Sequence, residues 1–409
     1  MPAQIWEREM YKDKFKFGIF TAPWENMKEN PTLALDRQLE MVEYLDRLGY
    51  DEAWFGEHHS AGMEIIGSPE LMIVAAAERT KHIRLGTGVV SLPYHNPLMV
   101  AERINLLDHL TRGRAIFGAG SGALPQDAHM LGIPIEKLRD MLEESLDAVT
   151  RLLRGEVVTK ETSWFKLQQA RLQLPPYSRP SIEMAVANLV SPTGARAAGQ
   201  FGASLLSISA TSSGAFNALA ANWSIAEEAA RASGHKMDRS AWRMAAPFHI
   251  AETREQARED VRHGMAEWFD YFQRVSVLPI VAQPGQDPVD AMIESGLAII
   301  GTPDDLVAKL KLLQEESGGF GCLLNMAHNW ADVAQTKKSY ELVARFVFPE
   351  IQELNKARDA SFEWAADIRE FVVQTNDAAR KALVEKLIAE QGEENVDPML
   401  MAYLGFNKS

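Results

Sequence analysis

Gly49-Tyr50-Asp51-Glu52-Ala53-Trp54-Phe55-Gly56-Glu57-His58-His59 decides how the chain is built. Upstream of it, Pro31–Leu48 sets Leu35, Leu39, Val42 and Leu45 on one face with charges opposite, the pattern of an amphipathic helix. Gly49 ends that helix, as glycine commonly does after a last turn. Glu52–Gly56 then reads as a short strand, with the polar Glu57-His58-His59 just beyond it. The same alternation continues in both directions. Phe15–Thr21, Ile83–Val90, Ala115–Ala119, Ser181–Ala187, Ser204–Ile208, Arg243–Ala251 and Gly321–Met326 read as strands. Helices are expected between them over Glu70–Thr80, Pro97–Leu110, Ile135–Leu153, Thr193–Ala198, Ser213–Ser233, Arg254–Gln273 and Pro303–Glu316, and at the close over Asp332–Leu354.

Eight strands, each followed by a helix, imply parallel crossovers. Ile83–Val90 and Ser204–Ile208 lack polar alternation, as strands covered on both faces do. The pattern favours a closed (β/α)8 TIM barrel, of class α/β, over an open doubly wound sheet. Val157–Leu174 reads as an irregular excursion, and Val275–Gly296, with Pro279, Pro284 and Pro288, as a late insertion. The barrel with its insertion (about 275–296) is assigned to residues 1–354. Residues 355–409, charged and helical in pattern, form a C-terminal helical extension.

The 409 residues carry 42 basic and 56 acidic side chains, a formal charge of −14. An acidic chain is a poor match for nucleic acid or an anionic membrane surface, so neither is expected as a partner. The apolar fraction of 46% excludes a disordered chain. Cys322 is the single cysteine, so an intramolecular disulfide and a cysteine zinc site are both excluded. With no secretory pattern at the N-terminus and no apolar run long enough to span a bilayer, the expected setting is the cytoplasm.

Barrels of this kind place chemistry at the C-terminal ends of their strands. Glu57-His58-His59 is the sharpest such feature. Adjacent residues at a strand end point opposite ways, so one imidazole at most enters a given pocket and no metal site is expected. A catalytic imidazole and a packed one are both open on position alone. Gly118-Ala119-Gly120-Ser121-Gly122-Ala123 formally fits a dinucleotide fingerprint, but Pro125 interrupts the helix that should follow, leaving a glycine turn whose N–H groups face an anion. Asn188 to Gly194 is the better phosphate candidate: a strand end, a polar turn with Ser191 and Thr193, then a helix start. The alternative there is an ordinary capped helix. Gly86 and Gly88, inside a β-branched strand, admit close approach of a ligand or of another backbone.

At these residues the sequence resembles the bacterial luciferase-like flavin-dependent monooxygenases, and within them the limonene-monooxygenase type. The resemblance covers roughly residues 14–350. It rests on Phe17-Gly18-Ile19-Phe20, on residues 49–59, on Ile83-Arg84-Leu85-Gly86-Thr87-Gly88-Val89-Val90 with Leu92-Pro93 and Pro97, on Leu107-Asp108 with Gly113-Arg114, and on Gly301-Thr302-Pro303. It implies a dimeric barrel that takes reduced FMN from a separate flavin reductase and, through a C4a-peroxyflavin formed with O2, oxygenates a small apolar organic substrate of terpene or cyclic ketone type. FAD and a deazaflavin are the alternative cofactors. His58 matches the catalytic histidine, and His59 would shape the pocket. Gly88-Val89 falls where a non-prolyl cis peptide lies behind the flavin. Ser121, Gly122, Asn188, Ser191, Thr193 and Gly194 fall at the phosphate site, where Ser121 stands in place of luciferase's arginine. Phe20, Trp24, Trp223, His249 and Trp330 are expected to line the substrate pocket, and Val275–Gly296 to act as its lid. The alternatives are a deazaflavin-dependent hydride-transfer enzyme on the same barrel and a non-catalytic flavin-binding barrel.

Overall fold

The computed structural model describes residues 14–21, 24–276 and 285–404. Two compact units divide the chain at Gln352 and Glu353. In the first, eight strands close on themselves: β1 (Lys16–Thr21), β2 (Glu52–Phe55), β3 (Arg84–Thr87), β4 (Ala115–Gly120), β5 (Glu183–Asn188), β6 (Ser204–Ser207), β7 (Arg243–Ala246) and β8 (Cys322–Met326). Each pairs in parallel with the next, and β8 returns to β1 with Phe17 opposite Leu323.

Side chains alternate across each strand, and that alternation splits the core in two. Phe17, Ile19, Ala53, Phe55, Leu85, Phe117, Val186 and Leu205 face outward beneath the helices. Phe20, Trp54, Ile116, Ala185, Leu206, Ala245 and Leu324 fill the interior. At the N-terminal end the interior is ionic. Arg243 reaches Glu52 through Nε at 2.7 Å and Nη2 at 2.8 Å, and Glu183 through Nη2 at 2.7 Å. The Trp54 indole donates to Glu52 at 2.9 Å and lies 5.2 Å from the guanidinium carbon. Gly86 is required here, because a β-carbon on it would stand 2.5 Å from the Trp54 ring. The C-terminal end is thereby left as the mouth.

Local chemistry sets the element ends. Asn30 caps Pro31–Leu48 and Gly49 closes it at φ 84°. Thr302 and Asp305 form a capping box ahead of Pro303–Ser317. The expected strand over Ile83–Val90 is interrupted after Thr87 by a cis Gly88–Val89 peptide and resumes at Val90–Ser91. The expected strand over Arg243–Ala251 divides at Pro247, which has no N–H for a ladder. Phe248–Ile250 then pairs with Ile299–Gly301, a strand the sequence reading passes over. The helix expected over Arg254–Gln273 breaks into Arg254–Val261 and Met265–Arg274, where Gly264 lies against the Asn329 backbone and donates to the Trp330 carbonyl. Val157–Leu174 contains an antiparallel hairpin, Val158–Glu161 with Lys166–Ala170. Pro125 does not bar a helix: it opens a short one, Pro125–Met130, at the position where a missing N–H costs nothing.

Of the insertion expected to act as a lid, residues 277–284 lie outside the described residues, and Pro288–Glu294 is a short helix. The second unit, Glu353–Ser409, is helical over Lys356–Asp367, Arg369–Gln391 and Pro398–Tyr403. Among the described residues no helix is long and apolar enough to cross a membrane.

Candidate active site

The loop after β2 carries the site. It is fixed to the loop after β1, where Trp24 bridges Glu64 and the Glu25 N–H donates to the Met63 carbonyl at 2.9 Å. The His58 N–H donates to the Ile66 carbonyl, closing the loop on itself. This fold places a buried carboxylate on either side of the His58 ring. Nε2 stands 3.0 Å from Glu64 Oε2, and Nδ1 stands 3.5 Å from Asp127 Oδ2. Both are ion-pair distances, yet neither His58 Nδ1 nor Glu64 Oε2 has a well-directed hydrogen-bond partner. Asp127 comes from the short helix after β4, and Ser60 donates to its other oxygen at 2.5 Å.

Burial disfavours a charged ring at His58, but the two carboxylates outweigh it and push its pKa up to about 9. At neutral pH the ring is an imidazolium. The histidines beyond β7 and β8 behave oppositely. Burial and the neighbouring His249 bring His328 down to about 3, and burial lowers His249 despite Asp260. Environment thus separates one cationic ring from two neutral ones at the same end of the barrel.

His59 points away from His58, toward Glu57. Glu57 Oε1 meets His59 Nε2 at 2.9 Å and His95 Nε2 at 2.6 Å, while its Oε2 accepts from the Ser91 N–H at 2.7 Å. Glu57, His59 and His95 form the one trio of potential metal ligands among the described residues. A metal-bound imidazole normally donates its second N–H outward. His95 Nδ1 instead faces Arg103 Nη2 at 3.4 Å, and a guanidinium only donates. His95 Nε2 therefore carries the proton given to Glu57, and the trio reads as a hydrogen-bonded support for the loop.

The proposed phosphate residues sit at the ends of the adjacent strands β4 and β5. Ser191 caps Pro192–Phe201 and stands 3.1 Å from the Thr193 hydroxyl. In the first turn of that helix Pro192 has no N–H, and those of Thr193 and Ala195 go to Ser191 Oγ and Asn188 Oδ1, so an anion here would meet the Gly194 N–H and the two hydroxyls. Asn188 serves the turn itself: its Oδ1 accepts from the Ala195 N–H at 3.3 Å. Gly194 allows the helix start to press on the Ala187 carbonyl. Ser121 and Gly122 follow β4, and Gly122 lies against the Tyr94 ring. Val89 covers Gly120, and Phe20 lies beside Gly88.

An aromatic roof closes over the mouth. Trp24 meets Trp268 and Phe272, each at 5.8 Å between ring centroids, and Trp268 meets Trp330 at 5.3 Å. These rings join Phe20, Trp54 and Val89 in one apolar cluster with the barrel interior. One expected pocket residue falls elsewhere. Trp223 stacks on Trp242 at 4.8 Å with Arg239 over its ring, and Trp242 precedes β7, so Trp223 lies at the opposite end of the barrel. It is buried between its helix and the barrel, as an apolar helix residue is wherever it falls along the helix. His249 is spent on Asp260, with Nε2 to Oδ2 at 3.0 Å.

The structure adds residues that sequence reasoning misses: Glu64, Asp127 and Tyr271. Asp127 was within reach of the strand-end rule had the helix at Pro125 been recognised. Glu64 and Tyr271 lie farther from any strand end, and no local pattern marks them. Tyr271, on Met265–Arg274, faces Glu64, and its buried hydroxyl is left without a hydrogen-bond partner.

The sequence model of a family described as luciferase-like monooxygenase matches residues 15–319. Limonene 1,2-monooxygenase of Rhodococcus erythropolis is 48% identical over 334 residues, covering 81% of this chain and 86% of that one. 4-Hydroxyprotoasukamycin monooxygenase of Streptomyces nodosus subsp. asukaensis is 43% identical over 360 residues, covering 87% of this chain and 97% of its own. A solved structure, the oxygenating constituent of 3,6-diketocamphane monooxygenase from Pseudomonas putida, is a type II Baeyer–Villiger monooxygenase in complex with FMN. It matches with a TM-score of 0.69 at 28% identity, covering 82% of this chain and 98% of its own.

Proposed function

The chain belongs to the luciferase-like monooxygenase family, and we propose that it uses reduced FMN and O2 to oxygenate a small, largely apolar organic substrate. The observation that carries this reading is the His58 ring, held between two buried carboxylates at the mouth of an aromatic-roofed barrel. The residues fit a flavin. The buried hydroxyls of Tyr94 and Tyr271 lack well-directed hydrogen-bond partners, and the Ser191 and Thr193 hydroxyls at the helix start suit a terminal phosphate. Ser191, Thr193 and Ser121 would hold the phosphate, and Gly88, Val89 and Phe20 the ring system. When bound, reduced flavin would supply the electrons that activate O2, so that one oxygen atom enters the substrate and the other leaves as water.

The protein's part is to bind, to exclude water and to hold a proton. Trp24, Trp268, Phe272 and Trp330 would exclude water from a labile reaction centre. His58, protonated on both Nδ1 and Nε2, would offer a proton to oxygen that gains negative charge. The names of the relatives support a terpene-like or cyclic substrate, and the diketocamphane enzyme's description as an oxygenating constituent supports a separate flavin reductase. Anaerobic titration with reduced FMN, reduced FAD and a reduced deazaflavin, followed by oxygen and a panel of cyclic terpenes and ketones, tests the reading. Tightest binding of reduced FMN and oxygenated product are expected. Retention of the deazaflavin alone, with no product, would sink it.

A homodimer is part of the same proposal. Leu71, Met99, Leu106 and Leu110 are about half exposed or more, on Pro69–Arg79 and Pro97–Leu110. Such a stripe is apolar surface that a second copy would cover. Leu106→Glu with Leu110→Glu should convert a dimer to a folded monomer in sedimentation velocity. A doubly substituted protein that still sediments as a dimer would remove this face from the contact.

A further inference from the structure

We propose that Glu64 is the positioning residue of this site: it orients the His58 ring and holds it doubly protonated, with Asp127 as the second carboxylate and Tyr271 facing Glu64 from the roof. The consequence for catalysis rests on the flavin reading above. The charge on His58 does not, and can be measured without flavin.

The argument starts from how Glu64 is held. Its backbone is bridged to Trp24 and its neighbour Met63 accepts from Glu25, so its Cα is pinned between the two loops. It is 5% exposed, and its Oε2 lies 3.0 Å from His58 Nε2. A buried carboxylate is costly unless a cation compensates, and among the described residues the His58 ring is the one ion-pair partner of Glu64. Asp127 faces the other ring nitrogen at 3.5 Å but shares its charge with Ser60. The remaining titratable groups around the pair are His59 and Glu57 on the same loop, Tyr94 beside Asp127, and Tyr271. His59 is turned to Glu57 and takes its charge balance there. Glu64 is thus the group free to set the state of His58.

Proton NMR titration of the His58 ring in the flavin-free, full-length protein tests this, the resonance being assigned by its loss in His58→Asn. The expected midpoint is near pH 9 in the unaltered protein. Glu64→Gln should lower it by about 1–3 pH units, Asp127→Asn should lower it less, and Glu64→Asp should retain most of it. Near-ultraviolet circular dichroism establishes that each variant is folded, and Glu64→Asp serves as the conservative rescue if Glu64→Gln is not. An ordinary histidine midpoint in the unaltered protein, or one unmoved by Glu64→Gln, overturns the assignment. Failure of reduced FMN to bind would leave these midpoints in place and would count against the flavin reading alone.

Discussion

Asparagine in place of His58 is expected to lower the yield of oxygenated product by about 100-fold or more, within the range spanned by loss of a positioned general acid, while reduced flavin still binds. The ring contributes nothing to the roof or to the turn at Ser191, so binding and chemistry should separate. Its ion-pair geometry gives the expected pH dependence. The folded-state pKa is raised to about 9, above the ordinary histidine value. The proton is therefore fully present at neutral pH and is lost as pH rises through about 9. Product yield in the unaltered protein should fall along that alkaline limb, and the His58→Asn variant should be low and flat across it. The same sign holds for stability: what the charged pairs contribute is complete below the unfolded-state histidine pKa and disappears as pH rises through about 9. Measuring product per flavin oxidised, rather than flavin oxidation alone, separates lost oxygen transfer from lost binding. Unchanged product yield in His58→Asn would remove the residue from the mechanism.

The barrel was legible because its signals are local. Apolar periodicity, proline and glycine punctuation and short β-branched runs mark each unit, and eight of them in series leave few topologies. His58 was legible because a strand-end rule turns that map into a short candidate set. The partners that give His58 its charge were not. Glu64 lies at the far side of a loop, Asp127 on a helix opened by a proline, and Tyr271 on a helix beyond β7. Only closure of the barrel brings these three loops together, and no spacing in one segment encodes it. Trp223 shows the converse error. An indole on an amphipathic helix is buried wherever it falls along the barrel, so its residue type says nothing about which end it occupies. His249 does lie beyond β7, where Pro247 redirects the chain and Asp260 holds the ring.

The opposite end of the barrel yields the largest expected effect on stability. Arg243→Met should destabilise the fold by about 3–5 kcal/mol, the usual cost of removing one member of a buried ionic group. Arg243 is fully buried and is the cation shared by Glu52 and Glu183. Burial raises the cost of charge on both carboxylates, yet Arg243 outweighs it and holds both below the usual carboxylate range. Without the guanidinium, Glu52 faces the Trp54 N–H as its remaining side-chain partner in the interior. The sign of the pH dependence follows. Depressed carboxylates contribute stability that is complete above their unfolded-state pKa and lost as pH falls through the folded one. In Arg243→Met the Glu52 carboxyl should instead favour its protonated form, so the gap between variant and unaltered protein should narrow on going from pH 7 toward pH 5. Glu52→Gln added to Arg243→Met should recover part of the loss, because a neutral amide needs no counter-charge. Denaturant unfolding at the two pH values reads all three effects. A loss below about 1 kcal/mol, the scale of an exposed pair, would mean that water reaches this end of the barrel and that the ionic group is not what fills it.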